Sequence, residues 1–523
     1  MSDYDLILTS LAGKSKYPHN MCRPSCGRPK HMDYIDPAKE RQHRRRLLLG
    51  YVLIGLIILT VARFMLLQAS GYGLKQGKVI QNGLTFFSSQ PHPANIYVNG
   101  KLAKVKTNTR LYLPSGIYDV KLQRDGYRTW QRKIELEGGD VQHFDYPFLI
   151  PTTLTTKKQH DYANAPGLAA QSPDHRWWLV QSPGSLGNFD LYDLKNPLKI
   201  VTTQVVLPTG VLTKATSQES FQLAEWADDN RHVLLVHNFD GKAEYILLDR
   251  TNPDQSINLS TKLATSAPKI ELANKKFDRY FMYDPATKIV QSATLNEPTP
   301  VSIIQHVLAY QSYSTDTFLY FSDDGVPAGK VALRMLVGTT TTPLRYFPAG
   351  SNYLVDLTKY SGDLYIVVGA ASENKVYIYK DPLGQYGASK SHALVPSQVL
   401  HVDQPNFVSF SSNAQFIMAE NGQQFGVYDI ENDKGYNYSS AVGLDAPQVH
   451  ATWMDGDRLV ITSGGKLVIF DYDHTNQQTL TGNNPAYLPA FAPDYKYVYT
   501  LAPTATAPQT QLDQTPLLVP ADL

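Results

Sequence analysis

The chain has 523 residues, of which 42% are apolar, a composition that supports globular cores and excludes a wholly disordered chain. Its length favours two or more domains. Its two cysteines exclude a disulfide-stapled scaffold, and a formal net charge of +1 argues against a chain built throughout to bind nucleic acid. A charged fraction of 18% with 33 tyrosines favours β-rich, surface-exposed domains.

Positive charge is concentrated at the N terminus. Residues 1–46 hold ten of the 48 Lys and Arg but only five of the 47 Asp and Glu. We predict that this segment is a basic and largely disordered tail. The cluster KERQHRRR could bind nucleic acid, but beside an apolar run it is better explained as a topogenic contact with anionic lipid.

Both cysteines lie in this tail, between two histidines. Two thiolates and two imidazoles could complete a tetrahedral zinc site, formed by His19, Cys22, Cys26 and His31. Three prolines interrupt the segment, and nothing nearby has the pattern of a folded scaffold. Free thiols in a disordered tail are therefore the favoured interpretation, and no other metal or cofactor is predicted.

A long apolar run follows the basic cluster and predicts a transmembrane helix over residues 47–68. Its core, Leu47–Leu67, would reach about 30 Å as a helix, enough to cross a bilayer. The alternatives are a buried helix of a soluble protein or a signal peptide, but a signal peptide would lie nearer the N terminus. Because Arg44, Arg45 and Arg46 precede the run, the positive-inside rule predicts a cytoplasmic N terminus and an exported remainder. We therefore expect a single-pass protein of the cell membrane.

The first exported segment is polar and then β-patterned. Residues 69–83 are rich in glycine, which predicts a linker. In residues 84–150, Asn99-Gly100 is the strongest hairpin signal of the chain. Further turns are predicted at Pro114–Gly116 and at Asp125-Gly126. We expect a small sandwich of four or five antiparallel strands.

This segment resembles the PEGA domain, a small β-sandwich of bacterial and archaeal surface proteins. The matching positions are Ser89-x-Pro91, Ala94, Ile96–Gly100, Leu113-Pro114-x-Gly116, Val120 and Gly126-Tyr127. In the tetrapeptide that names the family, His92 and Pro93 replace Glu and Gly. The resemblance implies contacts in the cell envelope and brings no catalytic residues. A spacer that lifts the next domain off the membrane is an equal alternative.

Residues 151–523 contain a repeat of a turn followed by an apolar strand. Five copies are clear, and they start at Ser172, Ala227, Ser411, Met454 and Ala492. Three weaker copies lie near Phe277, Ser314 and Tyr360. A period of about 45 residues matches a four-stranded propeller blade, whereas a β-sandwich array would need about twice that length. We predict eight blades, or seven if one weak copy is an insertion, with residues 151–162 closing the ring.

The repeats resemble the TolB-like and WD-repeat class of propellers. The best matches to the Trp-Ser-Pro-Asp-Gly motif of that class are Ser172-Pro173-Asp174 and Ala492-Pro493-Asp494. No copy keeps the whole motif, so no subfamily or partner is carried over. The resemblance implies an all-β ectodomain in which a propeller follows the sandwich.

Catalytic motifs such as Gly-x-Ser-x-Gly and His-Glu-x-x-His are absent from the sequence. The nearest metal-binding pattern, Asp471-x-Asp473 with Asn476, lacks the glycine and distal glutamate of a calcium loop and is better explained as a strand-ending turn. Asp228–Asn230 and Asp323–Gly325 are also predicted to be turns. Five histidines show no common spacing, namely His232, His237, His401, His450 and His474.

These observations favour a non-catalytic binding or scaffold protein that engages a cell-wall glycan or a surface protein. Tyr313, Tyr386 and Tyr438 lie in predicted loops and could stack on sugars. An enzyme acting on glycans is the alternative, and it requires two or more carboxylates converging on a central pocket. A transmembrane sensor is the third hypothesis. It ranks last because the short tail has no recognisable output domain.

Overall fold

A computed structural model of the chain describes residues 37–69, 72–75, 78–389, 393–440, 443–446, 449–504 and 509–523. The candidate zinc ligands of the tail lie outside the described residues, namely His19, Cys22, Cys26 and His31. The chain divides into two compact units, Met1–Val79 and Ile80–Leu523.

The first unit contains helix α1 (Pro37–Ala69) and strand β1 (Tyr72–Lys75). Within α1, Arg41–Leu67 is long and apolar enough to cross a membrane, as judged by length and composition alone. The helix begins ten residues before the predicted span, so Arg44 and its two arginine neighbours are helical, and the prediction of disorder is wrong for residues 37–46. The physical reason is local, because Pro37 suits a first helical position and the Ala, Lys, Glu, Arg and Gln residues that follow favour helix.

The segment predicted to be a linker, residues 69–83, contains β1 and the first residues of β2 (Lys78–Phe87) instead. The residues from Lys78 to Gly83 therefore belong to a strand of a sheet rather than to an irregular connection. The second unit then continues with six further short strands, which are β3 (Asn95–Val98), β4 (Lys101–Lys106), β5 (Thr109–Pro114), β6 (Gly116–Gln123), β7 (Trp130–Leu136) and β8 (Val141–Phe144).

These strands form a two-sheet sandwich, in which β2 pairs with β5 and β8 and the second sheet has the order β4-β3-β6-β7. The prediction of an all-antiparallel sandwich is wrong in one respect, because β8 runs parallel to β2. The core between the sheets buries large side chains, namely Phe87, Ile96, Val120, Leu122, Trp130, Ile134 and Phe144. Leu518, from the far end of the chain, completes this core.

The rest of the second unit is a series of four-stranded antiparallel sheets, which we number 1 to 8 in chain order. Sheets 1 to 4 consist of β10 (Ala169–Gln171), β11 (Trp177–Gln181), β12 (Asn188–Asp193), β13 (Val201–Val206); β14 (Ser220–Trp226), β15 (His232–Phe239), β16 (Lys242–Asp249), β17 (Ile257–Asn258); β18 (Lys269–Leu272), β19 (Arg279–Asp284), β20 (Ile289–Thr294), β21 (Val301–Ile304); and β22 (Val307–Ser312), β23 (Thr317–Ser322), β24 (Lys330–Val337), β25 (Thr340–Pro348). Short helices α2 (Leu259–Lys262) and α3 (Pro382–Ala388) lie in connections.

Sheets 5 to 8 consist of β26 (Tyr353–Tyr360), β27 (Asp363–Ala370), β28 (Lys375–Lys380), β29 (Gln398–His401); β30 (Phe407–Phe410), β31 (Phe416–Glu420), β32 (Gln424–Asp429), β33 (Lys434–Ser439); β34 (Thr452–Trp453), β35 (Arg458–Ser463), β36 (Lys466–Asp471), β37 (Gln478–Gly482); and β38 (Ala490–Phe491), β39 (Tyr497–Pro503), β40 (Thr510–Pro516), β9 (Lys157–Tyr162). In sheet 8 the outermost strand is thus β9, which precedes all the others in the chain.

The sheets close into a ring of the β-propeller type. β9 pairs with β40, so the expectation that residues 151–162 join the two ends is confirmed. A separate apolar core lies between each pair of neighbouring sheets, including the last and the first. Between sheets 8 and 1 the rings of Trp178 and Tyr499 have centroids 6.3 Å apart. Each sheet therefore buries both faces against its neighbours, which no single sheet could do alone.

All eight sequence repeats occupy the same place, the turn between the first and second strands of a sheet. In four copies the fourth residue has a left-handed backbone, at His175, Asn230, Ala414 and Tyr495. An aspartate that ends the third strand binds this turn in sheet 1, where Asp193 accepts two hydrogen bonds from Arg176, at 2.7 and 3.0 Å. The predicted turns at Asp228–Asn230 and Asp323–Gly325 are also confirmed.

The meander order gives the ring two different faces. The repeat turns and the connections between third and fourth strands lie at one end of the sheets, which we call the repeat-turn face. The turns between second and third strands and the connections between sheets lie on the opposite face. The first strands of sheets 2 and 3 contact one another, as do those of sheets 4, 5 and 6, which places the first strands around the axis of the ring.

The sandwich packs on the repeat-turn face at sheets 7 and 8. Trp130 Nε1 donates to Asp471 Oδ2 at 2.9 Å, and Arg132 forms an ion pair with Asp473 at 3.0 Å. Asp522, beside the C terminus, accepts from Tyr127 at 2.7 Å. These contacts join residues that lie more than 300 positions apart in the sequence.

Candidate functional site

Two adjoining cavities open on the opposite face of the ring, at sheets 1 and 2. The connection between β13 and β14 crosses this face and forms a ridge at Ser217–Glu219. On the side of sheet 2 the ridge borders a cavity of about 1060 Å³, which also reaches α2 and the turn between β15 and β16. On the side of sheet 1 it borders a cavity of about 520 Å³, beside the turn between β11 and β12. Ser217 and Gln218 line both cavities, and we call the two together the groove.

Two carboxylates hold the connection in place. Glu244, on β16, accepts hydrogen bonds from the backbone N–H and the hydroxyl of Thr213, at 2.9 and 2.6 Å. Asp240, in the turn before β16, accepts from the backbone N–H and the hydroxyl of Thr216, each at 3.0 Å. The connection is therefore a defined wall of the groove rather than a loose loop.

A buried histidine links this wall to the sheet behind it. The side chain of His237 is fully buried, and its Nδ1 lies 2.8 Å from Glu244 Oε1. Its Nε2 lies 3.1 Å from Glu219 Oε1, on the ridge. Because both ring nitrogens face carboxylates, His237 connects Glu244 of β16 to Glu219, which lies beside the smaller cavity.

Glu244 is kept ionised by its surroundings. Burial alone would raise the pKa of Glu244, but hydrogen bonds from Thr213, His237 and Asn258 lower it below its ordinary value. The Nδ2 of Asn258 lies 2.7 Å from Glu244 Oε2. A carboxylate whose oxygens are all engaged positions its neighbours and is not free to take up a proton from a ligand.

Three polar atoms at the groove have no hydrogen-bond partner within the described part of the chain. They are Gln181 Oε1, Ser182 Oγ and Asn238 Nδ2, and each is itself buried. Gln181 and Ser182 line the smaller cavity, whereas Asn238 lines the larger one. A Cβ at Gly167 would lie 2.2 Å from Gln181 Oε1, so any larger residue here would require the Gln181 amide to move. Buried polar atoms without partners are costly.

The centre of the ring holds a second, smaller site. A cavity of about 450 Å³ is lined by two carboxylates and two lysines. Glu225 pairs with Lys275 at 2.8 Å, and Glu271 pairs with Lys269 at 2.8 Å. On the neighbouring β26, burial raises the pKa of Asp356 to about 6. The channel thus contains carboxylates, as the enzyme hypothesis requires, but the two that line this cavity are neutralised by lysine.

The calcium-like pattern serves as a structural joint. Asp471 is 2% exposed, and its Oδ2 accepts from Trp130 of the sandwich and from Asn476 Nδ2 at 2.8 Å. Asp473 pairs with Arg132 of the sandwich. No group of three or more His, Cys, Asp or Glu in the described residues has the geometry of a metal site.

The five predicted histidines occupy separate places. His237 lies at the groove, and His450 binds the buried Glu420 at 2.8 Å on the same face, beside sheets 6 and 7. His232 pairs with Asp229 on the repeat-turn face, and the ring of His474 stacks on Tyr438. His401 is exposed at the end of β29.

The three candidate tyrosines also lie apart, and none lines the groove. Tyr313 is 36% exposed and lines the central cavity. Tyr438 packs within sheets 6 and 7 and donates to the carbonyl of Tyr472 at 3.0 Å. Tyr386 packs on the core beside sheets 4 and 5.

The groove could not be predicted from the sequence because its residues come from five separate segments. These segments meet only in the folded ring, and they are residues 164–167, 181–186, 217–220, 238–244 and 260–268. The available signal was the composition of the segment between β13 and β14, where Ser and Thr recur beside a buried glutamate.

Comparison with known proteins finds a family match for the sandwich. Residues 84–150 match the PEGA domain. No curated protein sequence matches the chain. Similar solved structures include the Dos1 propeller (13% identity, 69% of this chain and 96% of that chain, TM-score 0.42), Hsv2p of Kluyveromyces lactis (10%, 62% and 100%, 0.37) and an oligogalacturonate lyase in complex with manganese (11%, 69% and 98%, 0.38). The expected PEGA resemblance is confirmed, and the chain combines a region similar to that domain with an all-β propeller fold.

Proposed function

We propose that this chain is a membrane-anchored, extracytoplasmic binding and scaffold protein of a bacterial cell envelope that takes a glycan into the groove. The observation that carries the proposal is the groove itself, whose wall is fixed by hydrogen bonds to Glu244 and Asp240 while polar atoms at its floor lack partners among the described residues. A pocket of this kind is the usual location for a ligand.

Charge and length around α1 support the anchoring. The helix contains an apolar segment of sufficient length, and Arg44, Arg45 and Arg46 lie at its N-terminal side. The positive-inside rule would then keep the N terminus in the cytoplasm and place the sandwich and the ring outside. The match of residues 84–150 to the PEGA domain fits a protein of the envelope.

The chemistry of the groove favours a neutral, hydroxyl-rich ligand. Its larger cavity is lined by serines and threonines with one exposed lysine, Lys242, and two carboxylates, Asp240 and Glu244, each already hydrogen-bonded to a threonine of the connection between β13 and β14. Asn238 offers a donor, Gln181 an acceptor and Ser182 both. A glycan presents donors and acceptors of the same kinds along an extended chain.

An enzyme acting on glycans is the alternative, favoured only by Glu225 and Glu271 in the central cavity. Glycoside hydrolysis needs one carboxylic acid and one free carboxylate. Glu225 and Glu271 are each engaged in an ion pair, with Lys275 and Lys269 respectively, so neither is a free carboxylate. If glycan were cleaved, Glu225→Gln would abolish product formation, whereas binding in the groove would persist.

The proposal is tested with the full chain in lipid nanodiscs, presented to a glycan array and to purified cell-wall polysaccharide. Asn238→Ala and Ser182→Ala should each weaken binding about three- to tenfold, because each removes one hydrogen bond to the ligand. Ser302→Ala, on the exposed outer strand of sheet 3, is the matched control and should not change the affinity.

Two results would contradict the proposal. If the wild-type chain bound an envelope protein and no glycan, the ligand would be a protein rather than a glycan. Equal weakening by Ser302→Ala would show that the groove is not the binding site.

A further inference from the structure

The outer face of the first sandwich sheet carries a patch of apolar and aromatic side chains. Side chains alternate between the two faces of a strand, and Phe87 of β2 points into the core. The neighbouring positions of β2, with their partners on β5 and β8, therefore share the outer face. They form two cross-strand rows, Val141–Leu84–Tyr112 and His143–Phe86–Arg110.

This outer face is open in the part of the second unit that the structure describes. Tyr112 and Val141 are each 57% exposed. The rings of Phe86 and His143 stack with centroids 4.6 Å apart. Contiguous exposed apolar surface on a small domain commonly marks an interaction site.

A basic edge adjoins the patch. β4 and β5 follow one another through two residues and form the same edge of the sandwich. Lys101, Lys104, Lys106 and Arg110 are all exposed on these strands, and no acidic residue lies between positions 101 and 110. Leu102 on β4 is 59% exposed, so apolar and basic groups alternate along the edge.

The chain itself limits how far this face can be from a membrane. Leu67 ends the apolar segment of α1, and Leu84 already belongs to the patch. The 17 intervening steps span at most about 60 Å when fully extended. A sheet face tethered in this way meets the lipid surface at a high local concentration.

We propose that the outer face of this sheet rests on the lipid headgroups of the membrane that holds α1, with the basic edge against anionic lipid. Tyrosine and histidine have the amphipathic rings that suit the interfacial layer, and arginine and lysine attract lipid phosphates. In this arrangement the membrane contact of the sandwich fixes the orientation of the ring relative to the bilayer, which is a role beyond glycan binding. The inference rests on the proposed membrane anchoring.

Site-specific fluorescence on the full chain tests this proposal. In a Cys22→Ser, Cys26→Ser background, Val141→Cys is labelled with an environment-sensitive dye, and the protein is reconstituted into nanodiscs containing phosphatidylglycerol. Val301→Cys, on the outer strand of sheet 3, is the matched control, since Val301 is 63% exposed. Nitroxide lipids labelled near the headgroup should quench the dye at position 141 at least twofold more than at position 301.

Reversing the charge of the basic edge distinguishes its contribution to membrane contact from that of the apolar patch. Lys101→Glu combined with Lys104→Glu should reduce the quenching at position 141, as should the replacement of phosphatidylglycerol by phosphatidylcholine. Added salt should act in the same direction.

The remaining outcomes each decide against the proposal. Equal quenching at positions 141 and 301 would overturn it. Protection of position 141 from an aqueous quencher, without quenching by lipid nitroxides and only with two copies per nanodisc, would assign the face to a second copy. Failure of the chain to enter nanodiscs would instead refute the anchoring on which the inference depends.

Discussion

On one side of the ring the buried polar groups are paired, whereas on another side several of them have no partner among the described residues. At sheets 7 and 8 the sandwich covers the repeat-turn face, and charged groups meet across the joint, as with Arg132 and Asp473. At sheets 1 and 2 the opposite face is open, and Gln181, Ser182 and Asn238 keep polar atoms without partners among the described residues.

The difference indicates which side holds the molecule together and which side is available to a ligand. Breaking a buried ion pair at a closed joint is strongly destabilising, because the remaining partner is left as a buried charge without a counter-charge. Polar atoms without hydrogen-bond partners at an open groove lower the stability of the folded protein, and a ligand that bonds to them can restore that stability. Mutations on the two sides should therefore affect different measurements.

The largest effect is expected from breaking the closed joint. Arg132→Ala leaves Asp473, whose side chain is 8% exposed, without its ion pair. We expect the free energy of unfolding to fall by about 3–5 kcal/mol. Chemical unfolding followed by tryptophan fluorescence measures this change. Arg132→Lys, which keeps the charge, should lose less, and an equal loss in both variants would contradict the ion-pair account.

The joint should also respond to pH. Burial, with a contribution from Asp455, raises the pKa of Asp457 from 3.8 to about 7. The folded protein therefore retains a proton that the unfolded chain loses as the pH rises from about 4 to 7, so stability falls over that range. The contribution is at most about 4 kcal/mol. Asp457→Asn should flatten the dependence of the unfolding free energy on pH, and an unchanged slope would refute this assignment.

A smaller effect is expected on the open side. Glu219→Ala removes the carboxylate that faces His237 Nε2 at 3.1 Å, which should cost about 1–2 kcal/mol of stability. Amide hydrogen exchange should rise in residues 213–219, because the ridge loses its link to the floor of the groove. Glu219→Gln retains an acceptor and should exchange more slowly than the alanine variant. Faster exchange at sheets 7 and 8 instead would contradict the separation of the two sides.

The smallest effect is expected at an exposed ion pair. Arg176 pairs with Asp193 at 2.7 Å on the repeat-turn face of sheet 1, where the arginine side chain is 37% exposed. Arg176→Ala should lower the free energy of unfolding by less than about 1 kcal/mol. A loss as large as that of Arg132→Ala would show that burial does not distinguish the two pairs.

Local patterns predicted the repeating part of the fold well. Ser172, Ala227 and the other repeat starts each mark the turn before a second strand, because a tight turn and an apolar strand are encoded by neighbouring residues. The extended helix start at Pro37 and the strand β2 were missed. Both lie beside stronger signals, the apolar run and the glycines, that dominated the interpretation.

The candidate site was much less predictable. His237 was noted only as one of several scattered histidines, and its two carboxylate partners are 18 and seven positions away in the sequence. Asp471 ends β36 just before a turn, as its sequence pattern indicates, yet its bond to Trp130 spans 341 positions. No local pattern carries such pairings, since they depend on how distant strands are brought together.

The amino-acid sequence alone determined the apolar helix, the hairpin turns of residues 84–150 and the period of the ring, because each depends on contacts between near neighbours in the chain. Only the tertiary structure decided that Leu518 completes the sandwich core, that β9 closes the ring and that five separate segments enclose the groove. These features depend on side chains that are brought together when neighbouring sheets bury their apolar faces, and that driving force is not directional along the sequence.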